Sequence, residues 1–178
     1  GQGGQYRHMG KQLYDLLPGF RIPFDQCADA LSVSSDSGSD VRESLFSSHS
    51  LTPLEDTQIV QSVVFCVSYA LGVLCQNLGI KAGYSFAHSL GEYTAAALSG
   101  LLSLDDAAKL IAARGLIFKK YCKPGIMVFV FAGKKDLETL LKKHSVEIAS
   151  IISPDHVVVA GLSSTIEPFV RDLESSDI

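Results

Sequence analysis

Phe86-Ala87-His88-Ser89-Leu90-Gly91-Glu92 sets a serine between a short apolar run and a helical one, and its reading decides the fold. Ile80 to Ala87 is predicted to be a short buried strand, and Gly91 to Ser99 an alanine-rich helix ending at Gly100. Strand, sharp turn and helix in that order make the setting of a nucleophile elbow, in which a strained turn lifts a hydroxyl out of the fold. The backbone N–H of Leu90 and the start of the helix would then face an oxyanion formed on an attacked carbonyl, and the helix dipole would favour its charge. Small residues at Ala87 and Gly91 would let strand and helix approach closely. Ser89 reads equally well as a plain N-cap of that helix, and its immediate surroundings do not separate the two.

Before the elbow, Asp56 to Leu78 carries the strongest helical pattern, with a cap at Asp56 or Thr57, apolar residues from Val60 to Leu74 and Gly79 as terminator. Being apolar on most faces, it should be buried. Met9, Leu13, Leu16 and Leu17 recur at helical spacing until Pro18 and Gly19 stop them, and Phe24 to Leu31 fits a second short helix. Ser34 to Asp40, all Ser, Asp and Gly, reads as a solvated loop.

After the elbow, Ser103 and Asp106 form a capping-box pattern opening a helix through Leu110, Ile111, Arg114 and Phe118 toward Cys122, closed by Pro124 and Gly125. The texture then changes. Ile126 to Ala132 reads as strand, Lys135 to His144 as helix, Val146 to Ile152 as strand and Val157 to Gly161 as strand, with a Pro154-Asp155 turn between the last two. Ser164 and Glu167 repeat the capping-box pattern ahead of a helix with Phe169, Val170 and Leu173. This βαββα order is one strand short of a ferredoxin-like βαββαβ unit, so the sequence reads as truncated.

At 178 residues and 47% hydrophobic content the chain can bury a real core in one domain or slightly more. A formal charge of -4, with no Lys/Arg run beyond a pair, excludes a phosphate-binding face and hence nucleic acid. Cys27, Cys66, Cys75 and Cys122 show no C-x-x-C pairing, indicating neither metal site nor disulfide framework and pointing to a reducing, cytoplasmic setting. The apolar run Val63 to Leu74, interrupted by Ser68, is short of a bilayer span, so no transmembrane helix and no membrane partner are predicted. With Gly1 first and no leader pattern, the sequence reads as a piece of something larger.

The opening Gly1-Gln2-Gly3-Gly4-Gln5-Tyr6, followed by Met9-Gly10, resembles the GQGxQ segment that begins the malonyl and acyl transferase domains of polyketide and fatty-acid synthases. Ala87 to Glu92 is similar to their GHSLGE elbow. Ala95 to Gly100, Leu101, Leu102, Ser103 and Ala107, then Ala113-Arg114-Gly115, follow the same family in order and spacing, as do Ala149-Ser150, Pro154, Val158, Val159 and Gly161. The resemblance covers nearly the whole chain and is specific as a set. It implies an α/β fold: an α/β hydrolase-like large subdomain over 1–123 with an inserted ferredoxin-like small subdomain over 124–178, incomplete because its last strand is missing.

Through the resemblance, Ser89 becomes the nucleophile that takes an acyl group from coenzyme A as an ester and passes it to the phosphopantetheine thiol of an acyl carrier protein. No bound cofactor is implied, and the partners are malonyl-CoA or a related acyl-CoA, the carrier protein and the other domains of a multi-domain synthase. Gln2 and the N–H of Leu90 would form the oxyanion hole, and Arg114 would hold the carboxylate of a malonyl-type unit. By itself, Arg114 reads as a solvated surface charge or a local ion-pair partner. Gln61 stands where the family has a glutamine facing the site, with Ser62 in place of the proline that follows; it would line the site or merely cap its helix. His88 would pack or hydrogen-bond beside the nucleophile rather than act as base, and leucine at Leu90 is typical of malonyl-selective members.

A serine needs a proton acceptor, which the resembled family places after the small subdomain, beyond Ile178. His8, His49, His144 and His156 read as solvated, with His156 the nearest substitute, so the fragment alone should be inactive. Ala87 replaces the usual elbow glycine, and Ile152 a common asparagine. Two other readings stand beside this one. A serine hydrolase or thioesterase would need Asp/Glu and His after the serine and leaves Gln2 and Arg114 unexplained. A non-catalytic remnant would account for the missing histidine, Ala87 and Ile152.

Overall fold

The computed structural model describes residues 2–34, 40–47, 54 and 56–176, which fall into two compact units, Gly1–Tyr121 and Cys122–Ile178. Most of the loop expected over Ser34 to Asp40, as well as Gly1 and His49, lies outside the described residues.

In the first unit the described secondary structure is helical: α1 (Lys11–Leu16), α2 (Pro18–Ser34), α3 (Val41–Phe46), α4 (Thr57–Asn77), α5 (Leu90–Leu98) and α6 (Leu104–Tyr121). Helix α4 is the centre, packing against α2, α3, α5 and α6. Asp56 caps it by accepting from the Gln58 N–H at 3.0 Å, and Gly79 follows it at φ 88°, where a side chain would be strained. By length and composition α4 could cross a bilayer, a property the run Val63 to Leu74 alone did not predict. Its first turns, Gln58 to Cys66, are instead wholly buried in the core with Phe20, Phe24, Leu31, Leu45, Leu90 and Ile111. The C-terminal half is only partly covered, so the expectation of a fully buried helix holds for the first half.

Three expectations change here. Pro18 ends α1 but also opens α2, because a proline at the first helical position loses no intrahelical bond and already has a helical φ. The second helix is therefore longer than Phe24 to Leu31. Helix α3 was not foreseen, although Asp40, whose carboxylate accepts from the Arg42 N–H at 2.7 Å, precedes Glu43 in a cap-like pattern. Finally, Ile80 to Ala87 is neither a paired strand nor buried: it is irregular, with Tyr84 and Phe86 91% and 98% exposed. An apolar run forms a buried strand only against a neighbour that takes its hydrogen bonds, and no described segment of this unit supplies one.

The second unit follows the order β1 (Ile126–Val130), α7 (Lys134–His144), β2 (Glu147–Ser153), β3 (His156–Gly161), α8 (Ser163–Glu174). Its sheet is antiparallel with strand order β1-β3-β2, and Val128 pairs with Val159 and Val130 with Val157. These residues form a separate core with Leu137, Ile166 and Phe169, while Met127 and Phe129, pointing the other way along β1, are exposed. The capping box at Ser164 does not form: the N-cap lies two residues earlier, at Leu162, with no side-chain cap. Pro168 has no N–H to offer the carbonyl of Ser164, so the first turn is already short of one bond.

Candidate active site

Ser89 has φ 53° and ψ -119°, a conformation that non-glycine residues avoid at a cost of about 1–3 kcal/mol. Around it the Gly91 N–H bonds the His88 carbonyl at 3.0 Å and the Glu92 N–H bonds the Ser89 carbonyl at 3.1 Å, which closes the turn and starts α5. The Ser89 side chain makes no cap bond, so the plain N-cap reading fails. Its hydroxyl is exposed and accepts from Nη2 of Arg114 at 3.2 Å. Leu90 is the first residue of α5, and its N–H is among the four that a helix leaves without an intrahelical acceptor. The Leu90 side chain is buried in the core and anchors the turn. Room at the elbow is greater than foreseen: a Cβ on Gly91 would meet that of Ala87 at 3.8 Å, an ordinary contact.

Arg114 reaches the serine from α6, one turn before Phe118, whose ring lies 4.7 Å from the guanidinium carbon; the ring of Tyr93 on α5 lies at 5.9 Å. Its Nη1 donates to Oε1 of Gln61 at 2.5 Å. Among the described residues Arg114 has no carboxylate partner, so its charge stays available to a ligand. Gln61, fully buried on α4, donates in turn through Nε2 to Oγ1 of Thr57 at 3.1 Å. The close approach of α6 to α4 depends on Gly115, where an added Cβ would stand 2.9 Å from Cα of Gln58. One turn further along α6, Lys119 bonds the Asp56 cap at 2.6 Å. Burial pushes the Asp56 carboxyl up, but Lys119 and the Gln58 N–H together outweigh it and hold the group below the usual carboxylate range.

From the chain start, Nε2 of Gln2 donates to the same Thr57 hydroxyl at 3.1 Å. Gln5 fastens this segment by donating to the carbonyl of Leu54 at 3.2 Å and accepting from the Gly3 N–H at 2.8 Å. The structure thus joins Gln2, Gln61, Arg114 and Ser89 into one hydrogen-bonded chain, with Leu90 beside it. His88 is exposed next to Ser89. Thr57, Tyr93 and Phe118 belong to the cluster without having been singled out for it. A threonine opening a capped helix was the only available signal, and for the two aromatics helical spacing from Ser89 and Arg114 would have sufficed. Elsewhere, His144 is engaged with Asp172 at 2.8 Å and His156 with Ser153 at 2.7 Å, while Ile152 is exposed on β2. Neither histidine is solvated as expected, since each packs against aromatic rings. No metal-binding cluster occurs among the described residues.

The chain as a whole has counterparts among known proteins. The family model described as "Acyl transferase domain" matches residues 1–178. The chain belongs to this family. As an acyl transferase domain it is 34% identical over 178 residues to a component of the phenolphthiocerol/phthiocerol polyketide synthase of Mycobacterium tuberculosis, covering all of this chain and 12% of that protein. Among solved structures it is similar to a loading acyltransferase from the avermectin modular polyketide synthase, with TM-score 0.91, 28% identity, and 99% of this chain matching 57% of that one. It also matches the malonyl CoA-acyl carrier protein transacylase from Clostridium perfringens, with TM-score 0.77, 26% identity, and 98% of this chain matching 55% of that one. The acyl transferase domain therefore has the α/β fold of these structures, and the chain spans about an eighth of the length of the mycobacterial synthase component and just over half of the two solved chains.

Proposed function

We propose that this domain moves a malonyl-type acyl group from coenzyme A to the phosphopantetheine thiol of an acyl carrier protein, through an ester on Ser89, during polyketide biosynthesis. The observation that carries the reading is the strained, exposed Ser89 whose hydroxyl caps nothing and lies 3.2 Å from a guanidinium free of carboxylate partners among the described residues. In the loading step Ser89 Oγ bonds the acyl carbonyl carbon, the thiolate of coenzyme A leaves, and the serine proton passes to a base. Gln2 and the N–H of Leu90 receive the oxyanion, and Arg114 holds the distal carboxylate with a planar fork that Gln61 and Phe118 keep in place. His88 borders the nucleophile without acting as its base, a histidine outside this sequence being the acceptor. Carrier thiol attack reverses the chemistry and frees Ser89.

The finer architecture is part of the same proposal. The first unit is the N-terminal part of the large hydrolase-like subdomain. The second unit is the ferredoxin-like insertion, its β1-β3-β2 order fitting a fourth strand beside β1. Coenzyme A thioesters and free thiols such as Cys27 and Cys66 both suit the cytoplasm, where we place the synthase.

Incubating the full-length protein with malonyl-CoA should add one malonyl mass to the peptide containing Ser89, none in Ser89→Ala, and the label should move to added carrier protein. A label lost to water at the same rate with or without carrier protein supports a hydrolase instead, and no label at all supports a non-catalytic domain.

A further inference from the structure

Thr57 opens α4, and its hydroxyl oxygen accepts from two amides brought from distant parts of the chain, Gln2 and Gln61, each at 3.1 Å. A first-turn threonine usually spends its hydroxyl on the helix backbone. Here Asp56 already caps the Gln58 N–H at 3.0 Å, which leaves the Thr57 oxygen free for side chains. A hydroxyl oxygen has two lone pairs, so these two bonds fill its acceptor capacity. Both amides are thereby oriented. With Nε2 turned to Thr57, Gln61 must present Oε1 to Arg114, whose Nη1 donates to it at 2.5 Å, and this leaves Nη2 aimed at Ser89. With one amide hydrogen committed to Thr57, Gln2 keeps a single free N–H with a fixed direction.

Resting on the assignment of Gln2 to the oxyanion and Arg114 to the substrate carboxylate, we propose that Thr57 is a positioning residue whose one hydroxyl holds both ends of the site in register. Thr57 touches no reacting atom. Its branched side chain has few rotamers, so its oxygen is a stiff reference point against which two flexible glutamines are set. Serine can keep the bonds with less stiffness, and valine keeps the shape while losing both acceptor sites.

Kinetics on the full-length protein test this, with malonyl-CoA and acetyl-CoA as donors and Ser89 labelling in the wild type as the control. Thr57→Val should lower kcat/KM for malonyl-CoA about tenfold, the scale of one or two lost hydrogen bonds, and Thr57→Ser should recover it to within about threefold. Acetyl-CoA has no distal carboxylate, so with this donor Thr57 acts through Gln2 alone. In a Gln2→Ala background the Thr57→Val change should then cost less than about twofold. A merely structural loss would add to Gln2→Ala in full with acetyl-CoA, even if Thr57→Val also lowered the thermal midpoint, and would overturn the proposal. So would an unchanged Thr57→Val enzyme, or a Thr57→Ser enzyme as slow as the valine variant. Failure of the underlying functional reading looks different, because the wild type itself would then carry no label on Ser89.

Discussion

Arg114 is held by three contacts of two kinds at once: a hydrogen bond to Gln61, another to Ser89 and the ring of Phe118. A guanidinium can satisfy all three because it is flat and carries five N–H donors, whereas an ammonium is a hydrated point charge. Removing it should cost transfer of a carboxylated unit far more than transfer of an uncarboxylated one. Arg114→Ala is expected to lower kcat/KM by about a hundredfold for malonyl-CoA and by less than about threefold for acetyl-CoA, with Arg114→Lys giving little recovery. Equal losses with the two donors would remove the carboxylate role. At this scale the sequence was most informative for Ser89, because an elbow is a local backbone event written in consecutive residues. Thr57 and Phe118 were not legible as site residues, since their partners are fixed by packing between helices, and Gln2 and Thr57 are 55 positions apart.

The pair α4 and α6 forms the frame that presents these side chains. Their contact is set by Gly115, where a Cβ would stand 2.9 Å from the Gln58 backbone and could be admitted only if one helix moved. Gly115 lies next to Arg114, and Gln58 lies one turn before Gln61, so such a shift would stretch the 2.5 Å bond between them. Gly115→Ala is therefore expected to destabilise by about 1–3 kcal/mol despite alanine's higher helix propensity, and to lower malonyl loading more than acetyl loading. Urea denaturation and labelling rates check the two halves, and a variant stabilised like an exposed glycine-to-alanine change would show that the helices have slack here. Caps and breakers made α4 and α6 legible beforehand. They misled at Pro18, which can begin a helix as readily as end one, and at Ile80 to Ala87, where strand character depends on partners that a periodicity argument does not see.

The two units each close a core of their own, one around Phe20, Phe65 and Ile111 and the other around Val157, Val159 and Phe169. The sequence changes texture at Pro124 and Gly125, where helical spacing gives way to short β-branched runs that need a surface of their own to bury. A smaller unit buries a smaller share of its surface and has less stability to lose. Truncating the fully buried Phe169 should cost about 3–5 kcal/mol. In native-state hydrogen exchange of the full-length protein, Phe169→Ala should strip protection from β1, β3 and α8 while the amides of α4 and α6 keep theirs within about 0.5 kcal/mol. Ser89 labelling by malonyl-CoA would then separate two demands on the domain, the integrity of the frame that carries serine and arginine and the integrity of the second unit. If protection in α4 falls in step with that in β3, the cores unfold as one cooperative body and the division at Tyr121 has no energetic meaning.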